Sequence, residues 1–372
     1  IFSVRSRIVQ MIDGKVNGSL FCTMCSVLFT VSFVQGSTFA YFTTPFQKDL
    51  GTVPSKEGII NSETQSAIDL GLSYLAARQH SDGSFGSGNY HHNVAVTSLS
   101  AMAMMSAGNT PGRGKYGKNV NRAIDFVLSR TGADGFVCDP TSTSHGPMYD
   151  HGFGTLFLAE VYGMTPRSDL RGQLDKAIQL IVRTQNDEGG WRYQPVARDA
   201  DVSLTICQIM ALRAARNAGL HVPKETVNKC ISYVKRCQNI DGGFRYRSEG
   251  GGSDFPRSAA GVVTLFSAGV YEGPEIEKGL GYLMQFKPGM KQRTFRRQVH
   301  YYYGHYYAVQ AMWHAGGDYW NRWYPAIRDE LLTNRRRTKE GAWPSNICNE
   351  YGTAMACIVL QMPNNYLPIF QR

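Results

Sequence analysis

Six times along the chain, at a period near fifty residues, an amphipathic stretch, a glycine turn carrying an aromatic, and a second stretch of small and apolar residues follow one another. In the first stretches apolar positions recur three and four apart. Ala177, Ile178, Ile181 and Val182, for example, are interleaved with Gln173, Asp175, Lys176 and Arg183, a pattern that predicts a helix with one wet face. The second stretches, 94–107, 153–162, 204–218, 259–268, 306–315 and 353–360, are apolar or small nearly all round, which predicts helices buried on every side. Most of these run into a glycine (Gly108, Gly163, Gly219, Gly269, Gly316), as a left-handed C-cap requires. A small-plus-aliphatic pair marks each first helix: Gly71-Leu72, Ala123-Ile124, Ala177-Ile178, Cys230-Ile231, Gly279-Leu280 and Ala326-Ile327. In the first four, a glycine follows the aliphatic residue by eleven positions, at Gly83, Gly135, Gly189 and Gly242.

Each of those glycines lies beside an acid and just before an aromatic: Phe85, Phe136, Trp191 and Phe244. Glu340-Gly341 with Trp343 is the sixth turn, and Pro288-Gly289-Met290 is a degenerate fifth. The aromatic is expected to wedge between neighbouring helix pairs, a burial worth ~1.5–3 kcal/mol. Fixed-period self-similarity marks an array in which no unit buries its own apolar face. Alternating exposed and buried helices pack most simply as two concentric rings. The last unit is as apolar as the middle ones, whereas an open solenoid needs polar caps. The expected fold is therefore all-α, a single closed (α/α)6 toroid over 65–372.

Residues 1–40 differ. A basic start with Lys15, an uncharged apolar run and the small-residue end Thr38-Phe39-Ala40 read as a secretory signal, with an N-terminal anchor as the other reading. Residues 41–64 then form a linker, and an exported location, periplasmic or extracellular, follows. With 372 residues, 42% hydrophobic and 18% charged, the chain is long enough for one large core. The net charge is +10, concentrated at 287–297 and 335–337. Those stretches read as solvated loops or as a face for an anionic ligand or membrane surface. Nucleic acid is not an expected partner, because no aromatic interleaving or nucleic-acid module accompanies the charge. Cys207, Cys230 and Cys357 fall within apolar helix patterns and read as buried free thiols. No metal spacing is present, and neither a metal nor a cofactor is expected.

The runs Gln185-Asn186-Asp187-Glu188-Gly189-Gly190-Trp191 and Gln238-Asn239-Ile240-Asp241-Gly242-Gly243-Phe244 resemble the Gln-Trp repeats of the prenyltransferase and squalene-cyclase superfamily, over roughly residues 65–360. The resemblance implies the toroid. A single ring is similar to the catalytic subunit of protein prenyltransferases, whereas triterpene cyclases use two. No inner-helix start carries the Asp-x-Cys that holds zinc in prenyltransferases, and the Cys-Gly-Glu-Gln of thioester toroids is missing. Asp199-Ala200-Asp201-Val202-Ser203 resembles the Asp-x-Asp-Asp-Thr motif of class II terpene cyclases, whose middle acid protonates an alkene or epoxide. The resemblance assigns Asp201 as the acid and Asp199 as its partner carboxylate, a pairing that raises one pKa. Val202 and Ser203 depart from the motif.

In a toroid the inner helices start around one cavity mouth, with free N–H groups and positive dipole ends. Those starts carry His91, His92 and Asn93; Asp150 and His151; Asp199 and Asp201; Asp254; His300, Tyr303 and His305; and Asn349, Glu350 and Tyr351. Asn93, Asp150, Asp201, Asp254 and Asn349 also read as ordinary N-caps, worth ~1 kcal/mol each. Two functions remain open: acid chemistry on a hydrophobic, isoprenoid-type small molecule in a central funnel, or a non-catalytic scaffold holding a lipid, peptide or partner protein. Carbohydrate chemistry is a third, since α/α toroids also serve glycosidases and paired carboxylates are its usual tools.

Overall fold

The computed structural model describes residues 59–142, 145–289, 300–335 and 340–371. Residues 1–40, read above as a signal, and most of 41–64, read as a linker, lie outside them. Among the described residues are twelve α-helices and no β-strand: α1 Ser62–Arg78, α2 Val94–Met105, α3 Gly117–Ser129, α4 Pro147–Tyr162, α5 Asp169–Arg183, α6 Val202–Asn217, α7 Lys224–Arg236, α8 Phe255–Ser267, α9 Pro274–Met284, α10 Tyr301–Ala315, α11 Gly317–Arg335 and α12 Asn349–Leu360. None of the described helices is long and apolar enough to cross a membrane.

The even-numbered helices form the inner ring. Each packs against the next, from α2 through α12, and α12 packs back on α2, so the ring closes as the repeat predicts. Every residue of α2 except Ala95, and every residue of α8 except Arg257, is buried, whereas α3, α5 and α7 bury only one stripe. Burial on all sides follows from the small and apolar make-up of the inner helices.

The turns supply the joints between repeats. Gly189 has φ +103°, and a Cβ there would stand 2.1 Å from the carbonyl oxygen of Lys229 on the next outer helix, so both backbone angle and close approach demand glycine. Gly83, Gly135 and Gly242 meet Arg122, Lys176 and Lys278 in the same way, and Gly341 meets Leu70, joining the last repeat to the first. The repeat glutamine spans the same joint. Gln185 Nε2 donates to Gly189 O in its own turn (2.9 Å) and to Thr226 O on the next outer helix (2.9 Å). Gln79 and Gln238 repeat this pair of bonds with Gly83 and Asn119, and with Gly242 and Glu275.

The wedges are buried as expected: Phe85, Trp191, Phe244 and Trp343 are all 0–1% exposed. Their backbone N–H groups donate to Thr97, Thr205, Ser258 and Thr353 hydroxyls on the inner helices (2.8–3.2 Å). The second repeat corrects the sequence reading. Two positions after its glycine stands Val137, fully buried, whose N–H goes to His151 Nδ1 (3.1 Å). Phe136 is instead half-buried against the His151 ring. The wedge is defined by its place in the turn, and here an aliphatic side chain fills it.

The caps also differ in part. Asn93 Oδ1 and Asp201 Oδ1 accept from Val96 and Leu204 N–H (2.9 Å each). Asp254 holds the N-cap position without a side-chain cap bond, Cys348 rather than Asn349 precedes α12, and Asp150 lies within the first turn of α4. Gly163 is right-handed (φ −75°), unlike Gly108, Gly219, Gly269 and Gly316.

The chain end seals the far side of the inner ring. Gln361 and Asn364 side chains donate to Ala103 O and Ser106 O, Ile369 N–H donates to Glu160 Oε2 (3.3 Å), and Trp313 Nε1 donates to Phe370 O (2.9 Å). These partners stand at the C-terminal ends of α2, α4 and α10. The hollow therefore opens toward the inner-helix starts.

Candidate functional site

Two adjoining compartments lie at those starts and share His145, Tyr149, His300 and Tyr303 as a common wall. The first is a cavity of about 100 Å³. Tyr90, Tyr149, Phe153, Tyr303, Tyr351, Val96 and Leu99 make most of its wall, and among the described residues Asp150 is its one carboxylic acid. The second, about 160 Å³, is more polar, with Tyr193, Ser203, Tyr246, Asp254 and Arg257 joining the shared residues.

Asp150 is 1% exposed. Its Oδ1 accepts from Ala95 N–H at the start of α2 (3.1 Å), and Cys138 Sγ approaches Oδ2 at 3.8 Å. Burial pushes its pKa up to about 7, against the opposing pull of Ala95 N–H and the Asn93 side chain. A carboxyl so held is half-protonated near neutrality, the state a proton donor needs. Burial and the Asp150 charge together push the Cys138 thiol up to about 12, leaving it a donor to the carboxylate.

Asp201 is fully buried, but it lines neither compartment. One oxygen caps α6, and Oδ2 accepts from Tyr246 O–H (3.2 Å). Burial raises its pKa to about 6. The expected carboxylate pair does not form. Asp199 bonds Arg192 and lies 3.7 Å from Arg247, and Arg192 Nε stands 3.8 Å from Asp201. A guanidinium thus separates the two acids, which removes the like-charge effect the motif resemblance implied. Tyr246, bonded also to the Tyr193 hydroxyl, screens Asp201 from the polar compartment.

The remaining predicted residues divide by placement. Asp254, His300, Tyr303 and Tyr351 line the hollow with Asp150. His300 takes a left-handed backbone (φ +77°), and burial, aided by His145, lowers its pKa. His151 and His305 lie inside the packing. His151 accepts from Val137 N–H and donates Nε2–H to Ala177 O (3.2 Å), while His305 packs among Phe255, Tyr301 and Trp323; burial drives both down to about 3. Glu350 is buried and accepts from Ser87 Oγ (2.7 Å). His91 and His92 lie away from the hollow, clustered with His80.

The residues that sequence reasoning missed are Tyr90, His145, Tyr149 and Phe153. Tyr90 O–H bonds His145 Nδ1 (2.7 Å) across the mouth, from two different loops. Tyr149 and Phe153 flank Asp150 one before and three after, so both were findable once Asp150 was ranked first.

A closed double ring of helices around a sealed-bottom hollow defines an α/α toroid protein. A family model, the prenyltransferase alpha-alpha toroid domain, matches residues 64–174 and 153–285, and the chain belongs to that family. Solved structures with the same fold include cellobiose 2-epimerase from Bacillus thermoamylovorans B4167, with TM-score 0.61 at 13% identity over 81% of this chain and 98% of that one. An α-1,6-mannanase of Salegentibacter sp. HEL1_6 in complex with α-1,6-mannotriose gives 0.59 at 10%, over 82% and 99%. The type II terpene cyclase MstE from Scytonema, in complex with geranylgeranyl dihydroxybenzoate, gives 0.57 at 12%, over 82% and 98%. No curated protein matches the chain. At these identities the likeness is one of fold, and the neighbours' chemistries differ among themselves.

Proposed function

We propose that the protein is an acid-catalysing toroid enzyme of the terpene-cyclase kind, acting on an unsaturated, isoprenoid-type ligand in the aromatic compartment, with Asp150 as proton donor. One observation carries the reading: a buried carboxyl, held protonated up to about pH 7, is the sole acid among the described residues of a wall rich in tyrosine and phenylalanine. Aromatic faces favour a cation, by ~2 kcal/mol when desolvated, so the wall that accepts an apolar chain also stabilises the charge that protonation creates. The hollow is closed at its far end, so a ligand enters at the inner-helix starts, where Asp150 stands. Asp201, behind Tyr246 and bonded to its own helix start, serves structure.

The test is to incubate the protein with squalene-, farnesyl- and geranylgeranyl-type substrates and analyse products by mass spectrometry. Loss of the general acid in Asp150→Asn should lower turnover by about 10²–10⁴-fold, while Asp201→Asn retains most of it. Equal product traces from wild type and Asp150→Asn remove Asp150 from the mechanism. Prenyl ligand retained by wild type and recovered unchanged supports the scaffold reading instead.

A further inference from the structure

Outside the hollow, the loop between α1 and α2 gathers three imidazoles. The rings of His80 and His91 are 4.3 Å apart, those of His91 and His92 3.8 Å, and those of His80 and His92 5.4 Å. Two of them are wired from behind. His80 Nε2 lies 2.8 Å from Gly86 O, and a carbonyl only accepts, so the proton is on Nε2 and the Nδ1 lone pair is left over. His92 Nδ1 lies 2.8 Å from Asp82 Oδ2, which places its proton on Nδ1 and its lone pair on Nε2. Ser84 Oγ in turn donates to Asp82 Oδ1 (2.7 Å) and fixes that carboxylate. A carboxylate or carbonyl behind the imidazole, setting the tautomer and orientation, is the outer shell that metal-ligating histidines carry. His92 also holds a left-handed backbone, φ +57°, an uncommon conformation for a residue other than glycine.

We propose that His80, His91 and His92 bind a divalent transition-metal ion of the zinc class, with Asp82 and the Gly86 carbonyl holding two of the rings in the ligating tautomer. Imidazole nitrogens suit zinc, nickel and copper rather than calcium or magnesium. Three of them leave a fourth tetrahedral position for water. Among the described residues no three donors already stand at metal-ligand spacing. Metal–nitrogen bonds of about 2.0–2.1 Å set rings sharing one ion roughly 5 Å apart, so the His80–His92 spacing fits and the exposed His91 must swing away from His92. The ion would staple the loop that carries Tyr90, in the wall of the aromatic compartment, and Ser87, whose hydroxyl reaches Glu350 in the last repeat. This site is independent of the chemistry assigned to Asp150.

Tag-free full-length protein is titrated with zinc chloride and, separately, nickel chloride, followed by calorimetry and thermal melting. One ion should bind per chain and raise the melting temperature with concentration. His91→Gln and His80→Gln should each weaken binding at least tenfold, and Asp82→Asn by about 10–100-fold. His91 is exposed, so its variant folds as wild type does and the loss reads binding alone. Wild-type protein that binds no ion at one-to-one stoichiometry overturns the proposal. So does His91→Gln or His80→Gln binding with wild-type affinity, which would assign the ion to thiols or other histidines. Imidazole proton resonances in wild type give a second reading: zinc must shift those of His80 and His92, and shifts confined to the other histidines overturn the site.

Discussion

The carboxylate of Asp150, in the second repeat, accepts a hydrogen bond from the backbone N–H of Ala95, in the first turn of the preceding inner helix, at 3.1 Å. One acid thus closes an open helix start and lines the aromatic compartment, which ties the joint between two repeats to the chemistry proposed for the site.

Its protonation predicts a pH signature. The folded pKa, about 7, lies above the ordinary 3.8. The stability that this group contributes is complete below about pH 3.8 and is lost as pH rises through about 7, by about 1.4 kcal/mol for each pH step of one between those limits. Asp150→Asn should therefore gain on wild type in denaturant unfolding as pH goes from 5 to 8. Turnover by wild type, which needs the protonated acid, should fall over the same rise. A stability difference independent of pH would place the Asp150 pKa near its ordinary value.

His151 works in the opposite direction. Burial lowers its pKa to about 3, and its Nδ1 is occupied as acceptor for Val137 N–H. Its contribution is complete above about pH 6.5 and is lost as pH falls toward 3. The corresponding position in other repeats holds Thr97, Thr205 or Thr353, each accepting the wedge N–H. His151→Thr should keep that bond and shrink the stability loss between pH 7 and pH 4.5, as read by urea unfolding. An unchanged acid limb would assign it to other groups, His305 first.

Trp191→Ala should destabilise the ring by ~3–5 kcal/mol, the usual cost of emptying a large aromatic site. The side chain is 1% exposed and its Nε1–H donates to Ile181 O (2.7 Å), so the substitution also removes a buried hydrogen bond and leaves that carbonyl only the longer one from Thr184 Oγ1 (3.3 Å). An unaltered melting temperature would refute the wedge.

Two glycines should respond with opposite signs. Gly189→Ala combines a disallowed φ with a Cβ 2.1 Å from Lys229 O, and should lower stability by more than ~1 kcal/mol. Gly172, within α5 and with nothing within 4 Å of an added Cβ, should gain ~0.5–1 kcal/mol as alanine. Thermal melting of both variants checks the pair, and a loss at Gly172 would contradict the open helix surface there.

The repeat was readable in the linear chain because it rests on local rules. Gln185, Gly189 and Trp191 recur at set spacing since each has one steric task in every joint, and a glycine with positive φ or a helix apolar all round leaves a mark in composition. Six such units without polar ends implied closure, and α12 packing on α2 meets that expectation. The site was legible only in outline. Asp201 and Asp150 look alike in sequence, each an acid at an inner-helix start. What separates them is a neighbour from elsewhere in the chain: Tyr246 covers Asp201, whereas Tyr90, Tyr303 and Tyr351, from other repeats, leave Asp150 facing a hollow. Likewise Arg192 breaks the Asp199–Asp201 pair, and the second wedge moves from Phe136 to Val137. Local backbone preference determined the helices, turns and their order, because those depend on residues a few positions apart. Which acid is dry and which meets a ligand depended on contacts between repeats, from residues 45 or more positions away, and which is neutralised depended on how the turn folds Arg192, seven and nine positions back, between Asp199 and Asp201.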